Sequence, residues 1–134
     1  MSTQKKLHVI LIDDNEIDRV VNEKLLRLSN VTDNIDCFHS CHAFFAYLSD
    51  NVDKFEGFQN VILLDIQMPR MDGFECIIRM DSFPPEVRSL FKIFMLSSSI
   101  DRNDIKKAER NFSVEKVLEK PLDVSLFKKL IDIK

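Results

Sequence analysis

Four groups of polar residues stand directly after short apolar runs, and their side chains are those that could handle a phosphoryl group. In chain order, the groups are Asp13-Asp14, Asp65, Ser97–Ser99 and Lys120-Pro121. Three carboxylates brought together would repel one another unless a cation neutralised them, and an oxygen-only cluster suits Mg²⁺. A hydroxyl and an ammonium could hold phosphoryl oxygens, and a carboxylate can accept the group as an aspartyl phosphate.

Each group also has an ordinary structural explanation. The acidic pair, or Asn15 after it, could cap a helix, and Asp65 could begin a turn. The serines could be polar loop residues or a cap, and Lys120 could be a solvated lysine. A single site accounts for all four groups at the same end of successive strands, so we favour a site.

Apolar runs alternate with helical patterns along the chain. The predicted strands are Leu7–Ile12, Ile35–His39, Val61–Leu64, Phe91–Leu96 and Glu115–Glu119. The predicted helices follow Asn15, run from about Cys41 to Val52, begin at Gly73, and follow Asp101 and Asp123. This alternation predicts an α/β, doubly wound sheet of five parallel strands with five helices. We favour the flavodoxin-like strand order 2-1-3-4-5, because it brings the four polar groups together at one edge of the sheet. Strands 1 and 3 would then be neighbours at the switch point.

Two details of the helices follow from the pattern. The apolar residues of the first helix recur with a helical period, which is typical of a single apolar stripe facing a core. They are Ile17, Val20, Val21, Leu25 and Leu28. The stretch 83–89, which contains Pro84-Pro85, is predicted as a loop before the fourth strand.

Composition excludes several classes of function. The net charge of −3 and pI near 5.6 give no general attraction to nucleic acid or to anionic membranes. The apolar run after the N-terminus is too short for a signal peptide or a membrane span. Only two glycines occur, so a glycine-rich phosphate loop is excluded. We therefore expect a cytoplasmic protein with no direct nucleic acid or membrane binding.

The cysteines show no metal-binding or redox motif. Cys37 and Cys41, with His39 and His42 nearby, could be imagined as a metal site, but no second ligand pair is present. Cys76 makes the number odd and completes no C-x-x-C spacing. We expect all three thiols to be reduced and intracellular.

The segment 61–73, V-I-L-L-D-I-Q-M-P-R-M-D-G, resembles the phosphoacceptor segment of response-regulator receiver domains in two-component systems. The shorter motifs I-L-I-D-D at 10–14, M-L-S at 95–97 and E-K-P at 119–121 extend the resemblance over essentially the whole chain. The pattern D-x-x-M-P-x-M-D-G is highly specific, whereas an acidic pair or K-P alone would be weak.

This resemblance implies a role for each matching acidic residue. Asp65 would be the phosphoacceptor, and Asp13 and Asp14 would bind magnesium, Asp14 directly. Asp65 itself and the backbone carbonyl of Gln67 would complete the protein ligands of Mg²⁺.

The resemblance also implies the residues that hold the phosphoryl group. Ser97 would close onto it, and Lys120 would contact one of its oxygens. Pro121 would follow Lys120 through a cis peptide bond.

Three positions bear on the lifetime of the phosphoryl group and on signal output. Val117 stands where the family often has an aromatic residue that moves with the Ser/Thr, and Phe112 is not assigned that role. Gln67 and Ser99 occupy positions that influence phosphoryl hydrolysis in the family.

Residues 1–134 are therefore predicted to form a single stand-alone receiver without an output domain. A histidine kinase or histidine phosphotransfer protein would donate the phosphoryl group, and an unidentified protein would receive the signal, as in chemotaxis regulators or phosphorelays. Such a domain catalyses only its own phosphorylation and dephosphorylation. A pseudo-receiver and a small hydrolase with an aspartyl intermediate are the alternatives; the complete residue set argues against the first, and the absence of D-x-D-x-[ST] or a cap insertion against the second.

Overall fold

Five parallel strands form one sheet that carries the site. The computed structural model describes residues 6–98, 101–111 and 113–131. The strands are β1 Lys6–Ile12, β2 Ile35–Phe38, β3 Phe58–Asp65, β4 Phe91–Ser97 and β5 Val114–Glu119. Their order is β2-β1-β3-β4-β5, and every neighbouring pair is parallel. The predicted sheet and strand order are confirmed.

Six helices occur within the described residues. They are α1 Glu16–Leu28, α2 Cys41–Asp50, α3 Gly73–Asp81, α4 Pro85–Arg88, α5 Arg102–Glu109 and α6 Val124–Leu130, and a turn of 3₁₀ helix covers Val52–Lys54. The five longer helices are the predicted ones. In the described part of the chain, no helix combines the length and apolar character needed to cross a membrane.

The short helix α4 corrects the prediction of a simple loop at 83–89. Pro85 occupies its first turn, where the missing N–H costs nothing and the fixed φ suits a helix. The carbonyl of Pro84 accepts hydrogen bonds from the N–H groups of Val87 and Arg88. The proline pair thus starts a single helical turn.

Helix caps were largely readable from the sequence. The side chains of Asn15, Asp101 and Asp123 each accept a hydrogen bond from a backbone N–H in the first turn of the following helix. Asp72 also caps α3 and forms a capping box with Glu75, which was not predicted from the sequence.

Helices cover both faces of the sheet, and β1, β3 and β4 are buried except for the first one or two residues of each strand. On one face, alternate strand residues such as Ile10, Ile62 and Met95 pack with α2 and α3. On the other, the intervening residues pack with α1 and α6, and the rings of Phe94 and Phe127 lie 5.8 Å apart. This double burial explains why the strands appear as continuous apolar runs.

The orientation of α1 differs from the expected one. Much of its apolar stripe is exposed: Ile17 at 74%, Val20 at 45%, Val21 at 40% and Leu28 at 81%. The fully buried residues are instead Asn22 and Leu26. Asn22 can be buried because its Oδ1 accepts a hydrogen bond from the backbone N–H of Leu122 at 3.0 Å.

The cysteine prediction is also corrected, because Cys41 and Cys76 form a disulfide. It joins the start of α2 to α3, and both residues are buried. The two positions lie 35 residues apart, so only the packing of these helices on one face of the sheet brings them together. Cys37 is a free, exposed cysteine.

A buried network of polar side chains connects the strands at the amino end of the sheet. His8 Nδ1 lies 2.8 Å from Asn60 Oδ1, and His8 Nε2 lies 2.7 Å from Asp36 Oδ2. The Asn60 amide group donates to the carbonyls of Phe55 and Leu90. These bonds join β1, β2 and β3 at the end of the sheet opposite the acidic residues.

Candidate functional site

The acidic residues predicted from strand ends converge at the carboxyl edge of the sheet. Because β1 and β3 are paired, with Ile12 opposite Leu64, the residues that follow them emerge side by side. Asp13, Asp14 and Asp65 each place a carboxylate oxygen within 4.8 Å of the other two. Asp13 and Asp65 are buried, whereas Asp14 is exposed and opens the cluster to solvent.

Lys120 reaches the same cluster from the loop after β5. Its Nζ atom lies 2.7 Å from Asp13 Oδ2 and 3.4 Å from Asp65 Oδ1, and its side chain is only 8% exposed. The peptide bond from Lys120 to Pro121 is cis, as the resemblance implied. A lysine with so little contact with water is part of the site rather than a solvated surface residue.

Ser97 and Gln67 flank Asp65. Ser97 ends β4, is buried, and accepts a backbone hydrogen bond from the Lys120 N–H at 2.8 Å. The Gln67 backbone N–H donates to Asp65 Oδ1 at 3.2 Å, and Gln67 lines the opening above Asp65 together with Ser98. Ser99 and Phe112, which the sequence analysis also named, lie outside the described residues.

Two residues of α1 also belong to the site and were not predicted from the sequence. Lys120 Nζ donates a hydrogen bond to Asp18 Oδ2 at 3.0 Å. Arg19 Nη1 donates to the backbone carbonyl of Asp13 at 2.6 Å. The cap at Asn15 could have indicated them, because a helix that begins beside the site places the side chains of its first turn close to that site.

Burial and neighbouring charges shift the acid–base properties of this cluster. Burial, and then the charge of Asp13, raises the pKa of Asp65 to about 7, against the lowering effect of Lys120 and the Gln67 N–H. Burial works against the charge of Lys120, but hydrogen bonds with Asp13 and Asp18 and the charge of Asp65 outweigh it and raise the Lys120 pKa. The site therefore favours a charged lysine and holds Asp65 less readily ionised than an ordinary aspartate.

The chemistry of the donor set fits a Mg²⁺ ion. Asp13 Oδ2 is buried beside Lys120 Nζ at 2.7 Å, and a carboxylate oxygen with one such partner still has a lone pair to offer a cation. Beside it stand the carboxylates of Asp14 and Asp65. Oxygen-only donors, partly open to solvent, suit a cation that keeps several of its waters.

Gly73 lets the start of α3 pack directly against the backbone of Asp65. A Cβ atom at Gly73 would lie 2.6 Å from the Asp65 carbonyl oxygen and 2.7 Å from the Met95 terminal methyl. The Gly73 N–H also donates to the Ile66 carbonyl at 2.9 Å. The glycine is required here for close approach.

The fold and this edge together define an open parallel α/β protein with an acidic, lysine-bearing site at its topological switch point. Residues 9–132 match the family described as the response regulator receiver domain. The chain belongs to this family, the receiver domains of two-component response regulators.

Individual relatives agree with this assignment. The two-component response regulator ARR6 of Arabidopsis thaliana is 29% identical over 133 residues, which covers 94% of this chain and 68% of that protein. A response regulator receiver protein from Dyadobacter fermentans is 34% identical, with a TM-score of 0.86 and coverage of 94% of this chain and 95% of that one. A two-component response regulator from Cytophaga hutchinsonii is 27% identical, with a TM-score of 0.86 and 96% coverage of both chains.

Proposed function

We propose that the protein accepts a phosphoryl group on Asp65 from the phosphohistidine of a histidine kinase or histidine phosphotransfer protein, in a Mg²⁺-dependent reaction. The observation that carries this proposal is the buried Asp65 carboxylate, which has Lys120 at 3.4 Å and shares an acidic cluster with Asp13 and Asp14. Membership of the receiver family supports the same role.

In the proposed transfer, a carboxylate oxygen of Asp65 forms a bond to phosphorus as the bond from phosphorus to the donor imidazole nitrogen breaks. The Gln67 N–H and Lys120 hold Asp65 Oδ1, which fixes the carboxylate for attack. Lys120 then neutralises negative charge on the phosphoryl oxygens, and Ser97 at the end of β4 supplies a hydroxyl beside them. Mg²⁺, held by Asp13, Asp14, Asp65 and the Gln67 carbonyl, would supply further positive charge when bound.

The proposed output is a phosphorylation-dependent contact with another protein. Ser97 belongs to β4 and Lys120 follows β5. A phosphoryl group that binds both residues would therefore shift the conformational equilibrium of the surface around these strands and α5. Val117 is half-buried and packs against the core from β5. Phosphorylation would therefore be coupled to the output surface without an aromatic side chain at this position. The protein would modify itself and turn over no free metabolite.

Incubation with acetyl phosphate and Mg²⁺, followed by intact mass measurement, tests the phosphoacceptor. The wild type should gain the mass of one phosphoryl group, and Asp65→Ala should gain none. Asp53→Asn is the matched control, because Asp53 is an exposed aspartate in the 3₁₀ turn that precedes β3.

The alternatives give different results. If the wild type gained no mass and bound no beryllofluoride, the domain would act without phosphorylation and the proposal would fail. Sustained release of phosphate at enzymatic rates would instead indicate a hydrolase.

A further inference from the structure

Asp18, the third residue of α1, is hydrogen-bonded to the site lysine from the solvent side. Its Oδ2 accepts from Lys120 Nζ at 3.0 Å, a shorter separation than the 3.4 Å from Lys120 Nζ to Asp65 Oδ1. The Asp18 side chain is 35% exposed, compared with 3% for Asp13 and 5% for Asp65. Among the three carboxylates that form ion pairs with Lys120 in the described structure, Asp18 is thus the one that water also reaches well.

The ammonium of Lys120 is shared among three anionic partners. A lysine has three N–H donors, and Asp13, Asp18 and Asp65 all lie within 3.4 Å of its nitrogen. A phosphoryl group on Asp65 would add oxygens that need the same ammonium. Asp13 is buried and depends on Lys120 for charge compensation, whereas the partly solvated Asp18 can turn to water at little cost.

We propose that Asp18 is a positioning residue that holds Lys120 toward α1 and competes with the phosphoryl group for it. This inference rests on the proposed function of Asp65 as phosphoacceptor. The negative charge of Asp18 also repels the phosphoryl oxygens that would share the ammonium, and this repulsion, like the competition, disfavours their contact with Lys120. Asp18 therefore weakens the phosphorylated state and favours return of Lys120 to its resting contacts.

The competition predicts that loss of the Asp18 charge strengthens binding of a phosphoryl mimic. Beryllofluoride with Mg²⁺ is the probe, and its affinity is measured by calorimetry or by ¹⁹F NMR, since the chain has no tryptophan for fluorescence. Asp18→Asn should bind beryllofluoride about threefold more tightly than the wild type, the scale of one partly exposed ion pair. Its phosphorylated form should also lose the phosphoryl group more slowly.

Glu16→Gln is the matched control. Glu16 lies in the same first turn of α1, is exposed, and makes no ion pair with Lys120 in the described part of the chain. Glu16→Gln therefore removes the same charge from the same helix end as Asp18→Asn, without removing a partner of Lys120. Glu16→Gln should bind beryllofluoride like the wild type. Asp18→Ala serves as a second variant and should show the same gain as Asp18→Asn.

Damage to the fold cannot mimic this outcome, because it would weaken binding rather than tighten it. Unchanged or weaker binding in both Asp18 variants would overturn the competition, as would an equal gain in Glu16→Gln. In either case a wild type that binds beryllofluoride leaves the proposed function standing. A wild type that binds none overturns the proposed function, and this inference with it.

Discussion

Lys120 Nζ lies 2.7 Å from Asp13 Oδ2, and both side chains are less than a tenth exposed. Lys120 follows β5 at the far side of the sheet, whereas Asp13 follows β1, and β3 and β4 lie between these strands. The ion pair therefore spans the carboxyl edge above two strands. It makes Lys120 the main protein cation available to the buried carboxylates.

Removal of the Lys120 charge should destabilise the metal-free protein, because Asp13 and Asp65 would remain buried without their cation. We expect Lys120→Met to lower the free energy of unfolding by about 3 kcal/mol in EDTA. Urea denaturation measures the loss, and added Mg²⁺ should restore part of it. Lys116→Met, an exposed lysine on β5, is the control and should change stability little. Equal losses in the two variants would mean that the lysine does not compensate the buried carboxylates.

The raised pKa of Asp65 predicts a pH dependence of stability in the absence of metal. The pKa is 3.8 for an ordinary aspartate and about 7 in the folded protein, so the folded state binds the proton more strongly. Stability should therefore fall as the pH rises from about 4 to about 7, with the full penalty present above that range. Asp65→Asn removes this titration and should melt at a higher temperature than the wild type at pH 8.

Thermal unfolding in EDTA at several pH values between 8 and 5 measures this effect. The advantage of Asp65→Asn should shrink steadily toward pH 5, and Asp53→Asn should show no such trend. A difference between Asp65→Asn and the wild type that stays constant over this range would contradict the raised pKa.

Substitution of the two glycines of the chain distinguishes the effect of a steric clash from the effect of backbone strain. Gly73→Ala places a methyl group 2.6 Å from the Asp65 carbonyl oxygen, so we expect a loss of about 2 kcal/mol and impaired phosphorylation. Gly57 has a φ of +88° with no atom near its missing Cβ, so Gly57→Ala should cost about 1 kcal/mol through backbone strain alone. Urea denaturation and the acetyl phosphate assay distinguish the two. Normal phosphorylation of Gly73→Ala would show that this contact does not position Asp65.

The main site geometry was predictable because it follows from strand order. Once β1 and β3 were predicted to be neighbours, Asp13 and Asp65 had to emerge together at one edge. Lys120 could be placed there because it follows β5 at the same end. A regular parallel sheet converts sequence position into spatial position at its strand ends, so the apolar runs and the polar residues that follow them together indicated the site.

Side-chain partners across elements were not predictable in this way. The stripe of α1 was misjudged because Asn22 is buried through a hydrogen bond to the backbone of Leu122, a partner 100 residues away. The bond between Cys41 and Cys76 depends on how α2 and α3 pack, which no spacing reveals. Asp18 was missed for the same reason, since its role depends on the position of Lys120.

Asn60 provides a test of the polar network at the amino end of the sheet, far from the phosphoacceptor. Its amide nitrogen donates to the carbonyls of Phe55 and Leu90, so its Oδ1 must accept from His8 Nδ1–H. Asp36 Oδ2 lies 2.7 Å from the other ring nitrogen of His8, so the imidazole links the Asn60 network to β2.

Asn60→Ala would leave two buried carbonyls and a ring N–H without their partner, so we expect a loss of about 3 kcal/mol. Gln59→Ala is the control, because Gln59 is half-buried and makes one longer bond, 3.3 Å, to the Ile131 carbonyl. Urea denaturation should show a much smaller loss for Gln59→Ala, and folded Asn60→Ala should still accept a phosphoryl group from acetyl phosphate. A loss below about 1 kcal/mol for Asn60→Ala would mean that water replaces the amide at little cost. Loss of phosphorylation in the folded variant would mean that the two ends of the sheet are coupled.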